Sequence, residues 1–225
     1  PAGSSVGGLP GAQGNGGNAN VTVSSNTFQI ASAPNASFVA EAVGGLGTVY
    51  GDATTMVTGN IFKFTSAGSV TVEAIARAAG PDSAANDGNL NFGKKTATLN
   101  SNIVIGAINN LRLAATATPS NGTARLTSNN VQLTPATTGL VTLAASGNHI
   151  QITGNTVQLG QQQLDLTINN YAPYDVTIKD NNFKGTGANT FHFSDFALGV
   201  PHLDAATVNL TTGKFLFNGL SNNLT

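Results

Sequence analysis

The chain has 225 residues and a formal net charge of −1, with 8% charged residues against the ~25% usual for soluble domains. It has no basic run to hold nucleic acid and no apolar run near the ~20 residues of a membrane helix. It also has no cysteine, which excludes disulfides and thiol catalysis. The length suits one domain or one elongated array.

Residues 1–19 hold seven glycines and no apolar periodicity, and read as a flexible leader or linker before a domain over 20–225. Pro1 opens no basic and apolar signal-peptide pattern, so none is expected in this stretch. Sequons stand at Asn20, Asn35, Asn121, Asn209 and Asn223, in a chain rich enough in Asn and Thr to form them by chance.

From Asn20 one figure recurs: an alternating strand, a single corner residue, and alternation resumed. The corners are Asn26, Asn60, Asn102, Asn129, Asn155, Asn181 and Gly213, separated by 34, 42, 27, 26, 26 and 32 residues. A step of 26 or 27 kept three times signals a solenoid. The turn-rich stretch 79–88 accounts for the 42-residue step, and 199–202 for the 32-residue step. Asn and Gly enter the left-handed conformation most cheaply, so each corner residue is expected to adopt it.

Three positions before the corner stand Val23, Val57, Leu99, Leu126, Ile152, Ile178 and Leu210. Two positions after it stand Phe28, Phe62, Val104, Val131, Val157, Phe183 and Phe215. Neither column holds a polar residue, as expected of inward columns in a parallel stack whose corner amides also bond to one another. A third short strand is expected in each unit: 35–39, 69–73, 110–113, 140–143, 164–168 and 190–193. Only 39–43 and 73–79 have any helical flavour.

Strand, asparagine corner, strand, variable turn and third strand over roughly residues 20–217 resemble the right-handed parallel β-helix of the pectin-lyase-like superfamily. The resemblance implies an all-β, single-stranded β-solenoid of about seven coils, with an asparagine ladder at the tight turn. That superfamily includes pectinolytic enzymes, phage tailspikes and adhesins, so the fold does not choose a function.

Its lyases work on the outer face of the first sheet with calcium-binding carboxylates and a basic residue, and its glycosidases with close aspartate pairs. Outward candidates here are Glu73, Arg112, Thr142, Asp165 and His192. Asp165 and His192 are 27 residues apart, with Asp195 just beyond, and form the best acid/base grouping. No adjacent aspartate pair or glycosidase signature occurs. Asp82 and Asp87 share a Gly/Asn-rich loop that could hold calcium. Tyr171 and Tyr174 flank Pro173 and could form a small sugar platform. The three histidines lack metal-ligand spacing. No cofactor is expected.

A further column, Ser24, Thr58, Asn100, Thr127, Thr153, Lys179 and Thr211, is rich in threonine, but Met56, Arg125 and Gln151 interrupt its neighbour. No amphipathic helix is seen to cap either end of the stack. The expectation is a non-enzymatic structural or adhesive element, extracellular or at the cell surface: a section of an adhesin or a subunit of a filament. Its partners would be further copies or other surface proteins, with no nucleic acid and no membrane span. The alternatives are a polysaccharide lyase, hydrolase or tailspike-type protein, whose partner is polysaccharide, and an ice-binding solenoid.

Overall fold

Where the sequence alternates, the chain is extended. The computed structural model describes residues 16–45, 50–79, 93–118, 122–135, 137–195 and 202–219; side chains at 170–175, 186–188, 191–195 and 202–219 are not described. Among the described residues there are twelve strands, and every pairing is parallel.

Strands β1 (Ala19–Ser24), β3 (Ala53–Thr58), β5 (Lys95–Asn100) and β7 (Gly122–Thr127) lead into successive corners and pair in that order. Strands β2 (Thr27–Gly44), β4 (Ile61–Ala78), β6 (Ile103–Thr118), β8 (Asn130–Leu133) and β10 (Thr156–Gln158) lead out of corners and pair likewise. The longer β9 (Leu140–Thr153) lies beside β6 with its first half and beside β7 with its second. Strand β11 (Gln163–Asp195) runs beside β9 and then β10, and β12 (His202–Gly219) lies on β11.

The register stacks equivalent residues of successive repeats. Phe28 pairs with Phe62, Phe62 with Val104, Val104 with Val131, Val131 with Val157, and Val157 with Phe183. The column of Val57, Leu99, Leu126, Ile152 and Ile178 is likewise continuous and fully buried. Facing them are Val72, Leu113, Leu143 and Leu166, with Ala74, Ala115, Ala145 and Ile168 in the next column. Each fully buried Val, Leu, Ile or Phe contributes about 1.5–3 kcal/mol, so these columns are the main stabilising feature. Ala53 pairs with Lys95 and Arg77 with Thr118, which puts the extra residues of the 42-residue step between Ala78 and Lys95. Residues 80–92 themselves lie outside the described residues.

The strands are longer than the sequence predicts. The expected separate strands at 69–73 and 110–113 are continuous with those that leave the corner, forming β4 and β6. No residue there stops the ladder. The bend is absorbed by a register shift between Phe64 and Ala67 and by Gly106, whose φ is 135°. A Cβ at Gly106 would lie 1.9 Å from the Phe64 carbonyl oxygen, so only glycine fits. The stretches 39–43 and 73–78 are strand, not helix. Ala40, Ala42, Ala74, Ala76 and Ala78 are buried while the residues between them are more exposed, so the period of two prevails.

The left-handed residue is not the corner asparagine but the residue before it. Ser25, Gly59, Ser101, Ser128, Gly154 and Asp180 have φ of 57°, 64°, 54°, 55°, 66° and 55°. The asparagine is selected for its side chain instead. The last repeat also departs from the expected register: Ala206, not Gly213, lies beside Asn181, and Gly213 pairs with Asn189. A glycine has no amide with which to continue a side-chain ladder.

Candidate functional site

Each corner bend turns the chain so that an asparagine side chain points into the stack. The backbone N–H and the Nδ2 of one asparagine both donate to Oδ1 of the next. The paired distances are 3.0 and 3.1 Å from Asn26 to Asn60, and 3.1 and 3.1 Å from Asn60 to Asn102. They are 3.1 and 3.1 Å from Asn102 to Asn129, 3.1 and 3.0 Å from Asn129 to Asn155, and 3.0 and 2.8 Å from Asn155 to Asn181. The second Nδ2 hydrogen goes to the carbonyl three residues before the previous corner, as from Asn129 to Leu99 at 3.1 Å and from Asn155 to Leu126 at 2.8 Å. Five of the six asparagines are buried; Asn26, at the first corner, is exposed. The ladder has a direction, because each Oδ1 accepts from the preceding corner and each corner N–H donates to the Oδ1 of the following one.

That N-terminal end is open among the described residues. Strands β1 and β2 pair on one edge only, with β3 and β4. Their inward residues Val21, Val23, Phe28, Ile30 and Phe38 are only partly buried, unlike their counterparts further along. An apolar opening of about 130 Å³ lies among Val23, Phe28, Phe38, Val57 and Phe62. Phe28 stacks on Phe62 with centroids 5.0 Å apart and an interplanar angle of 8°, and Phe38 meets Phe62 edge-on at 4.9 Å.

The outer faces are polar and bonded to themselves. In the threonine-rich column, Asn100 Nδ2 donates to Thr58 Oγ1 at 3.3 Å and Thr127 Oγ1 donates to Asn100 Oδ1 at 2.8 Å. The adjacent column reads Thr22, Met56, Thr98, Arg125, Gln151 and Thr177, with Arg125 Nε donating to Gln151 Oε1 at 3.0 Å. The third-strand face carries Ser37, Thr71, Arg112, Thr142 and Asp165 in one row. Glu73, expected in that row, stands one column over beside Val39 and Ala114, because β4 enters the face two residues earlier than the sequence grouping assumed. It still reaches Arg112, at 3.8 Å, and accepts from Thr116 Oγ1 at 3.3 Å.

Asp165 is therefore on an outward face, while the side chains of His192 and Asp195 lie outside the described residues, as do those of Tyr171 and Tyr174. Asp82 and Asp87 fall within 80–92 and are also outside them. Among the described residues no three His, Cys, Asp or Glu side chains converge as a metal site, and no helix is long and apolar enough to cross a membrane.

The sequence reading missed Lys95. It begins β5 in a column with Ala53 and Gly122 and is fully buried. Its Nζ donates to the carbonyl oxygens of Gly51, at 3.2 Å, and Gly93, at 2.5 Å. Burial pulls its pKa below the usual lysine value, and the nearby Asp52 carboxylate opposes this. The one available signal is a cation where neighbouring repeats carry alanine and glycine. A second polar cluster was also missed. Buried Gln162 accepts from the Gly160 N–H at 2.7 Å and donates to Ile108 O at 2.8 Å, and Asn189 Nδ2 donates to Gln162 O at 2.6 Å. The 27-residue spacing of these two amides is visible in the sequence.

No family model, curated protein or solved structure matches this chain.

Proposed function

We propose that the chain is a non-enzymatic structural or adhesive element that works outside the cell or at its surface, as a section of an adhesin or a subunit of a filament. Its fold is read as a single-stranded, right-handed parallel β-helix of about seven coils, similar to the pectin-lyase-like superfamily. One observation carries this reading: the directional ladder from Asn26 to Asn181, flanked by continuous apolar columns. Such a ladder couples every repeat to the next and favours a stiff rod. Supporting it, the outer threonines, asparagines and the Arg125–Gln151 pair bond along the rod axis. The low charge suits close packing against neighbours.

Two measurements on the purified chain test the reading. Small-angle scattering should give an elongated particle, and incubation with acidic polysaccharides should release no oligosaccharide. Release of product that disappears in Asp165→Asn would overturn it in favour of a glycan-active enzyme.

A further inference from the structure

We draw no further inference here: the strongest candidate, the surface groove of about 600 Å³ that Gln29, Lys63, Phe64 and Ile105 line where β2, β4 and β6 run side by side, is an unpartnered face, and nothing in the structure shows what covers it.

Discussion

Asn129 and Asn155, 26 residues apart, are joined through one oxygen: the N–H and the Nδ2 of Asn129 both donate to Oδ1 of Asn155, at 3.1 and 3.0 Å. Asn129 is buried and also serves Leu99 O and Asn102, so its removal strands several groups in a site water does not reach. A buried group left without a partner costs ~1–3 kcal/mol. Asn129→Ala should therefore lose about 2–4 kcal/mol of stability in urea unfolding. Asn26→Ala, at the exposed end, should lose about 1 kcal/mol or less. Equal losses would mean that the ladder adds nothing beyond local turn preference.

The bend preceding each asparagine supplies a separate test. Ser128 has φ of 55°, a conformation that disfavours side chains and above all β-branched ones. Ser128→Gly should be neutral or stabilising, and Ser128→Val should cost about 1–3 kcal/mol. Gly154 has φ of 66°, but a Cβ there would find Ser128 Oγ no nearer than 3.5 Å. Gly154→Ala should thus lose only conformational strain, about 1 kcal/mol. Gly106→Ala drives a Cβ into the Phe64 carbonyl and should be far worse. Thermal unfolding of the four variants ranks them directly. An Ala at 106 tolerated as well as one at 154 would contradict the packed bend.

These two tests separate what the sequence makes visible from what it hides. The columns headed by Phe28 and Val23 are legible because one strand face is buried and a slip of one residue would expose all of it. The stacking partners of Asn26 to Asn181 follow from the same register. What the sequence hides is which of two adjacent small polar residues takes the strained angle. Ser128 and Asn129 are both turn formers, and only the hydrogen bonds of Asn129 assign the roles. Lys95 is hidden because its burial depends on Gly51 and Gly93 carbonyls contributed from the ends of segments that the alternation does not describe. Gly213 misleads because its flanking Leu210 and Phe215 fit the pattern, while β12 takes a different register on β11. Of the candidate acid/base residues, Asp165 is placed on an outward face by a simple alternation count.

Lys95 gives a pH dependence with a definite sign. Its folded pKa lies below the ordinary 10.5 because burial disfavours the ammonium. The folded state therefore binds fewer protons than the unfolded one in the interval just below 10.5, and stability rises with pH there. The burial penalty is fully present below the folded pKa and is relieved as pH climbs through the interval. Lys95→Met leaves the two glycine carbonyls without the ammonium but removes the titration. Unfolding free energies of parent and variant across the alkaline range should diverge in the parent's favour as pH rises. Parallel curves would mean that the ammonium is effectively solvated.

The aromatic stack of the first two repeats sets a fully buried ring against a partly buried one. Phe62 is 1% exposed, whereas its stacking partner Phe28 is only partly buried. Truncating a fully buried phenylalanine costs ~3–5 kcal/mol, the loss of transfer free energy plus a cavity that neighbours cannot fill. Phe62→Ala should fall in that range. Phe28→Ala should cost roughly half as much in dilute monomer, because part of its ring already faces water and the site can collapse. A cost for Phe28→Ala that matches Phe62→Ala would mean that the Phe28 ring is packed as fully as its stacking partner.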